Sequence, residues 1–349
     1  YESAYLKRLK KMGLDESHFS KEIHLPEIQI LNKVDLPLVT QKDKVTIKIK
    51  GSDSKYKLSR VHVWINDVPI YGIKGMPVEA TSSLSEELEI ELIEGMNKIQ
   101  VAVLNEKGAE SLKKTIDIDF QGEKEKHMYL VTIGTSKYKD SRFDLNYAAK
   151  DAKDLVNLYG GSKNFAKVHT LTLTDAEVIN SNMNQVREFL KNAKINDEVI
   201  LFIAGHGVLD EEFNYYYGTH NIDFLNPSKD GLEYSKLEAL LDNIKPIKKL
   251  LIMDTCHSGE VDKEDVEIVA EANFDDENIT FRNAGANVRK KEAAGLKVSQ
   301  ELVKELFADV RRGTGATVIS SAGGAEYAME SEVWKNGLFT FCLLDALTN

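Results

Sequence analysis

Two side chains able to do nucleophilic chemistry follow apolar runs of the sequence. Residues 199–204 read V-I-L-F-I-A and lead to His206, which stands between two glycines. Residues 250–253 read L-L-I-M and lead through Asp-Thr to Cys256. Short apolar runs bounded by polar residues are typical of strands buried on both faces of a sheet. Since sites form at the carboxyl ends of parallel strands, we expect the thiol and the imidazole to share one edge.

A cysteine attacks a carbonyl carbon as its thiolate, and a neighbouring imidazole can generate that form. We therefore predict Cys256 as the nucleophile and His206 as its proton partner. The backbone amides of Gly207 and Cys256 are the candidate oxyanion hole. The plainer interpretation is a buried structural thiol and an unrelated loop histidine. The joint placement of both residues at strand ends disfavours it.

Two other assignments use the same part of the chain. His257 follows Cys256 directly and is an alternative base, but neighbouring residues at a strand end point apart, which favours a structural role. A zinc site of His206, Cys256 and His257 is disfavoured, because structural zinc takes four ligands and no C-x-x-C pair occurs. We expect neither a metal nor an organic cofactor.

The composition limits the classes of protein that the chain can be. Its 349 residues suggest two or three domains, and 42% hydrophobic residues suffice for sizeable cores. The net charge of −11 is spread along the chain, which gives little support for nucleic-acid binding. No apolar run reaches the roughly 18 residues of a membrane span, and no signal peptide opens the chain. Two cysteines form no disulfide framework and indicate a reducing, cytoplasmic setting, while Tyr1 as first residue predicts a missing upstream region.

The first part of the chain has two kinds of pattern. Residues 1–25 include a basic amphipathic stretch that predicts a connecting helical segment, with the helix ending at Gly13. Residues 26–121 contain runs in which apolar and polar residues alternate, such as V-T-I-K-I-K and E-L-E-I-E-L. Alternation at roughly ten-residue spacing predicts an immunoglobulin-like sandwich of half-buried antiparallel strands. Trp64 and Tyr71 are expected to be core or interface aromatics of this domain.

Residues 127–349 alternate strand patterns with helix patterns, after a charged linker at 121–126. This order predicts an α/β domain with a mostly parallel sheet that is covered by helices on both faces. Besides the two runs above, strands are expected at 129–135, 166–173 and 316–321, and helices at 147–159, 178–191, 234–241 and 338–347. Thr174 and Glu177 have the spacing of a capping box for the second helix. The periodicity lapses over 260–312, and a polar segment this long inside a compact domain is usually functional or disordered.

The paired motifs strand-G-H-G and strand-D-T-C-H-S-G resemble those of caspase-like cysteine peptidases, including bacterial caspase-family proteins and metacaspases. The separation of His206 and Cys256 is close to the roughly 50 residues found in caspases. Residues 129–152, Y-L-V-T-I-G-T-S-K-Y-K-D-S-R-F-D-L-N-Y-A-A-K-D-A, are similar to the first strand and helix of such domains. S-S-A-G-G-A-E-Y-A-M-E-S and G-L-F-T-F-C-L-L-D-A-L are similar to their last strands and final helix. The resemblance covers residues 127–349, and it implies a caspase-like fold with a His206–Cys256 dyad.

The resemblance also implies a specificity. Caspases that cut after aspartate have Q-A-C at the nucleophile, whereas this chain has Asp254 two residues before Cys256, as metacaspases and paracaspases do. Their second pocket acid is matched by Asp151 in Y-A-A-K-D-A. Two carboxylates in one pocket attract a cation, so we predict cleavage after Arg or Lys. The alternatives are a strand-end cap for Asp254 and a solvated helix position for Asp151. Ala204 and Ala148 stand where metacaspases often carry serine and cysteine, which leaves the shape of the pocket open.

Segment 260–312 fits the activation linker of such peptidases. If the enzyme prefers basic side chains, Arg289, Lys290 and Lys291 are the expected sites of self-cleavage, and a solvated charged loop is the alternative. The acidic run at 275–277 is a candidate for calcium binding that the resemblance permits, although it lacks EF-hand spacing.

These features together predict a cysteine endopeptidase that acts on protein or peptide substrates and is regulated by self-processing. Its β domain is expected to contact an upstream sensor module or a protein partner. Two alternatives remain. One is a caspase-like interaction module without turnover, and the other is a different thiol hydrolase or transferase on a similar sheet.

Overall fold

The computed structural model describes residues 6, 9–10, 12–14, 16, 23–210, 214–255, 279–281, 310–321 and 328–348, with the backbone alone at 279–281. These residues form a β region over 27–120 and an α/β region over 127–348. None of the helices in these ranges is long and apolar enough to cross a membrane.

The β region consists of nine strands in two sheets. The strands are β1 (Glu27–Ile30), β2 (Val39–Thr40), β3 (Lys44–Ser52), β4 (Leu58–Ile65), β5 (Val68–Pro69), β6 (Met76–Thr81), β7 (Ser83–Glu91), β8 (Gly95–Asn105) and β9 (Lys114–Phe120). One sheet has the order β1-β3-β7, and the other has the order β2-β9-β8-β4-β5 with β6 paired to β4. Alternate residues of β3 are buried, as the period-2 pattern predicts. The inward residues of both sheets share one apolar core, so the expectation of packed β-sheets is confirmed, while the immunoglobulin-like topology stays a prediction.

The α/β region contains eleven described strands and four described helices. The strands are β10 (His127–Gly134), β11 (Lys167–Thr174), β12 (Glu198–Gly205), β13 (Gly207–Leu209), β14 (Tyr215–Tyr217), β15 (Leu232–Glu233), β16 (Lys248–Thr255), β17 (Ile279–Phe281), β18 (Thr317–Ser320), β19 (Met329–Ser331) and β20 (Asn336–Gly337). The helices are α1 (Ala148–Gly160), α2 (Met183–Leu190), α3 (Tyr234–Leu241) and α4 (Leu338–Thr348).

A five-stranded sheet forms the centre of this region. Its order is β11-β10-β12-β16-β18, and every neighbouring pair is parallel. Residues of α1 and α4 pack on one face, in a core that includes Leu155, Phe202 and Ile252. Residues of α2 and α3 pack on the other face, in a core that includes Val186 and Leu237. The predicted parallel sheet with helices on both faces is therefore confirmed.

The second helix begins later than its pattern predicts, at Met183 rather than near residue 178. Two short 3-10 helices, Asp175–Glu177 and Asn180–Asn182, precede it. The amide of Thr174 donates to the Glu177 carboxylate at 3.1 Å, so the predicted capping box forms, but on the first 3-10 turn. The side chains of this Asn-rich stretch compete for backbone hydrogen bonds, which favours turns over a continuous helix.

Two small antiparallel sheets lie outside the pattern-based expectations. Their orders are β13-β14-β15 and β17-β19-β20. Strands of two or three residues are too short to show a period, which explains why the pattern of apolar and polar residues does not predict them. β17 falls inside the 260–312 segment and pairs with β19 through Ile279 opposite Ser331 and Phe281 opposite Met329.

The β region and the α/β region share apolar contacts. Ile195 and Ile247 of the α/β region belong to the core of the β region. Tyr71 packs against the same core, which confirms it as a core or interface aromatic. Trp64 lines a cavity of about 160 Å³ at the junction, together with Glu238 and other residues of both regions. Residues of the β region, of α3 and of the 310–314 helical turn that precedes β18 line this cavity together.

Candidate active site

The ends of β12 and β16 bring the two predicted catalytic positions towards each other. These parallel strands are neighbours, and their register pairs Gly205 with Thr255. The residues immediately before His206 and Cys256 are therefore opposite each other on strands about 4.8 Å apart. Cys256 and His257 themselves lie outside the described residues, as do the predicted self-cleavage positions 289–291 and the acidic run 275–277.

His206 is buried and held on two sides. Its side chain Nε2 lies 2.9 Å from the carbonyl oxygen of Phe143. Its backbone amide donates to the Tyr138 hydroxyl at 3.0 Å. The rings of Tyr138 and Phe224 pack beside the imidazole, with centroid distances of 5.2 and 5.6 Å. The packing fixes the position and plane of the ring.

The Phe143 carbonyl also selects the tautomer of the imidazole. A carbonyl oxygen can only accept a hydrogen bond, so Nε2 of His206 must carry the hydrogen in this contact. In the neutral ring, Nδ1 is then the nitrogen that can take up a proton. This is the arrangement of a general base whose orientation is set by a third group.

Gly205 allows the turn that precedes His206. Its φ is +147°, and a Cβ at this position would lie 3.1 Å from the Tyr138 hydroxyl and 3.3 Å from the Thr135 carbonyl oxygen. A larger residue would push the strand end away from the loop that holds the imidazole. Gly207, the predicted oxyanion donor, begins β13 and is paired with Tyr217.

Asp151 is fully buried near the start of α1. Its carboxylate accepts hydrogen bonds from the Gly337 amide at 3.1 and 3.2 Å and from Asn336 Nδ2 at 2.9 Å. Asn336 Nδ2 also lies 2.7 Å from the Asp154 carboxylate. The solvated position that was the alternative for Asp151 is therefore wrong, because these donors enclose its carboxylate.

Asp254 is also fully buried, at the end of β16. Its Oδ2 accepts a hydrogen bond from the Thr340 hydroxyl at 2.6 Å. Thr340 lies in the first turn of α4, three residues after Gly337. Both predicted pocket acids therefore contact the same short stretch, residues 336–340. Ala204 lies opposite Asp254 in the register of β12 and β16, and Ala148 is the first residue of α1.

Several residues of the site carry no recognisable signal in the sequence. Tyr138 and Phe143 occur within the 129–152 motif, but Phe143 acts through a main-chain carbonyl that any residue type could supply. Asn336 and Thr340 lie near the closing motifs and become visible only through their contacts with the two acids.

A groove of about 770 Å³ runs beside the aromatic layer that supports His206. Residues 139–143, 221–225 and 229–230 line it. Phe143 and Phe224 are among its lining residues, and the centroids of their stacked rings are 4.0 Å apart. The groove offers apolar surface bordered by charges of both signs.

No group of three histidine, cysteine, aspartate or glutamate side chains within the described ranges is arranged to hold a metal ion. Cys342, the other cysteine of the chain, is exposed on α4.

The family is shown by a match to a family model. The model for peptidase C14, described as the caspase domain, matches residues 128–349. This range covers more than half of the chain and includes the parallel sheet from the second residue of β10 onwards, so the chain belongs to the caspase-domain family of peptidases. Family membership agrees with the α/β architecture and indicates a cysteine peptidase.

Solved structures give weaker likenesses. Protein GSU0716 from Geobacter sulfurreducens is 17% identical, with 64% of this chain and 82% of that chain covered and a TM-score of 0.42. Fibronectin(III)-like modules of CbhA from Clostridium thermocellum are 21% identical, with 29% of this chain and 50% of that chain covered and a TM-score of 0.22. No curated protein sequence matches the chain. None of these likenesses carries information about function.

Proposed function

We propose that the chain is a cysteine endopeptidase that cleaves after Arg or Lys through Cys256 and His206. The observation that carries this proposal is the register of β12 and β16, in which Gly205 pairs with Thr255. This register places side by side the two residues that immediately precede His206 and Cys256. The fixed tautomer of His206 adds a base that is already oriented.

The reaction follows from these groups. The Cys256 thiolate attacks the peptide carbonyl carbon, and the amides of Gly207 and Cys256 stabilise the negative oxygen that forms. The C–N bond breaks as His206 gives a proton to the leaving amine, which leaves a thioester on Cys256. Water then attacks the thioester carbon while His206 accepts a proton, and the released thiolate and carboxylic acid complete the cycle.

Two carboxylates support a preference for a cationic side chain. A carboxylate and a guanidinium about 4 Å apart attract each other by roughly 4 kcal/mol at an effective dielectric of 20. Asp151 and Asp254 on neighbouring elements would add such attractions, whereas an aspartate side chain would be repelled. Self-cleavage at Arg289, Lys290 or Lys291 would follow from the same preference, and an immunoglobulin-like β region would offer a surface for a sensor module or a partner.

The test compares the wild type with Cys256→Ala on fluorogenic peptides that carry Arg, Lys, Asp or Asn before the scissile bond. We expect cleavage after Arg and Lys, and a loss of at least about a thousandfold in kcat/KM for Cys256→Ala. Mass spectrometry of incubated protein should show new termini after basic residues in 260–312, absent from the variant.

Cys342→Ala is the matched control, because it removes the other, exposed thiol of the chain. It should leave the rates unchanged. Equal cleavage by Cys256→Ala, or a preference for Asp over Arg, would contradict the proposal.

The complete burial of Asp151 and Asp254 favours a second candidate, a caspase-like module that binds partners without turnover. An arginine-directed acyl-reactive probe separates the two functions. Covalent labelling of Cys256 supports the peptidase, and absence of labelling in folded protein supports the silent module.

A further inference from the structure

The two predicted pocket acids are closed by one short piece of chain, residues 336–340, which we name the gate segment. We infer that Asn336 and Thr340 of the gate segment control the entry of a basic side chain, because they hold Asp151 and Asp254 with hydrogen bonds that the substrate must replace. The inference rests on the proposed function and adds to it the residues that regulate the pocket.

On the α1 side, the gate segment offers two donors to one carboxylate. The Gly337 amide contacts both oxygens of Asp151, and Asn336 Nδ2 contacts Oδ1. A guanidinium would use the same two carboxylate oxygens as acceptors in a bidentate pair of hydrogen bonds. Asn336 Oδ1 is in turn 3.3 Å from Lys150 Nζ, which anchors the amide side chain on α1.

On the β16 side, the hydroxyl of Thr340 contacts Oδ2 of Asp254 at 2.6 Å. Thr340 and Asp254 are both fully buried. Asn336 is 5% exposed, so both donor side chains of the gate segment are buried together with the acids that they contact. A basic side chain that pairs with either carboxylate would have to take the place of these donors.

The gate segment is connected to the 260–312 linker through main-chain pairing. β20 contains its first two residues and pairs with β19, and β19 pairs with β17 of the linker. The three strands form one small sheet in the order β17-β19-β20. β17 therefore stabilises the β19–β20 pair, which contains the start of the gate segment. Cleavage of the linker would weaken this stabilisation.

The first experiment removes hydrogen-bond donors of the gate segment and leaves Asp151 and Asp254 unchanged. Thr340→Val removes one hydroxyl donor at nearly constant volume, and Asn336→Ala removes the amide donor. Each lost hydrogen bond should lower KM for an arginine peptide by about fivefold, with little change in kcat. A residue with a merely structural role would give an unchanged or higher KM.

Thr348→Val is the matched control, because it makes the same chemical change at the far end of α4, where the hydroxyl contacts the Leu344 carbonyl. Its kinetic constants should equal those of the wild type. Circular dichroism establishes that each variant is folded.

The second experiment needs no turnover. Acetyl-arginine amide is added to Cys256→Ala protein, and hydrogen exchange of the Gly337 amide is followed. The ligand should accelerate exchange several-fold, because it displaces that amide from Asp151. Acetyl-citrulline amide has nearly the same shape without the charge and should have no effect.

The outcomes separate the two proposals. Cleavage of arginine peptides by the wild type, with KM unchanged or raised in both gate variants, overturns the gate and leaves the proposed function intact. Cleavage that is stronger in the gate variants supports both. Failure of every folded variant to cleave, together with unchanged exchange at Gly337, overturns both.

Discussion

His206 is oriented by the loop after β10 rather than by residues near it in sequence. The Phe143 carbonyl and the Tyr138 hydroxyl lie more than sixty residues away along the chain. The sequence predicts which histidine and which cysteine to examine, because both follow apolar strands at the same edge of a sheet. The sequence does not predict the contacts that orient His206, since any residue type can supply a main-chain carbonyl.

The same distinction applies to the two acids. The resemblance of D-T-C and Y-A-A-K-D-A to metacaspase motifs implies that Asp254 and Asp151 belong to one pocket. Their common contact with residues 336–340 depends on how α4 packs against α1. That packing is a tertiary property that no local pattern encodes.

Lys249 is a buried lysine outside the site, 5% exposed at the start of β16. Burial lowers its pKa to about 8, although Asp242 nearby acts in the opposite direction. Below pH 8 its ammonium is charged in both states, and the folded state carries the desolvation cost. Between about pH 8 and 10.5 the unfolded chain binds more protons, so the contribution of this group to stability rises with pH.

We therefore predict that Lys249→Met raises the free energy of unfolding at pH 7 by roughly 1–3 kcal/mol. This range is the order of the free energy that corresponds to the lowered pKa of Lys249. The advantage should shrink as the pH approaches 10, where the wild-type amine is neutral in the folded state. Urea unfolding at several pH values measures both effects. Lys248→Met, at the exposed neighbouring position, is the control and should change stability little. A gain independent of pH would contradict the argument.

Two buried carboxylates connect α1 with the last elements of the chain, and each of them accepts hydrogen bonds from the other segment. Glu330 of β19 is fully buried and accepts hydrogen bonds from the amides of Asn146 and Tyr147, at 2.7 and 3.2 Å, just before α1. Asp151 of α1 in return accepts from the Gly337 amide, just before α4. Main-chain amides just before each helix thus donate to an acid from the other segment. The positive end of each helix dipole also stabilises the negative charge of that acid.

We predict that Glu330→Ala lowers the free energy of unfolding by about 1–2 kcal/mol, because two main-chain amides just before α1 lose their buried acceptor. Glu332→Ala is the control, since Glu332 is exposed in the turn after β19 and should cost little. Denaturant titration measures both variants. Equal effects would show that the cap does not contribute.

At the scale of elements, long and regular segments are the predictable part. The core strands of the parallel sheet and helices α1, α3 and α4 lie within a few residues of their expected positions. The late start of α2 and the strands β17 and β19 differ, because short polar stretches form structure only through partners distant in sequence.

The β region and the α/β region meet where β5 touches the turn before β18. Gly315 has a φ of +75°, and a Cβ there would lie 2.5 Å from Cγ1 of Val68. The close approach requires glycine for two reasons, backbone conformation and space. The sequence alternation predicts each region separately, but the contact between them has no pattern that a single segment could reveal.

We predict that Gly315→Ala lowers the free energy of unfolding by about 2–4 kcal/mol, from overpacking and an unfavourable φ together. The loss should be smaller when Gly315→Ala is made in a Val68→Ala background, since that change removes the two closest atoms, Cγ1 and Cγ2, but not the backbone strain. Gly160→Ala is the control, because nothing lies within 4 Å of a Cβ there. Thermal unfolding monitored by circular dichroism tests all of these variants. An equal loss in the wild-type and Val68→Ala backgrounds would contradict this account.

The pairing of β17 with β19 has a consequence for a chain that has been cut at residues 289–291. β16 and β17 would belong to the first piece, and β18, β19, β20 and α4 to the second. The β16–β18 and β17–β19 ladders would then join two separate polypeptides. The nicked protein would persist as an interlocked heterodimer, with the histidine and cysteine on one polypeptide and the covering residues of the two acids on the other.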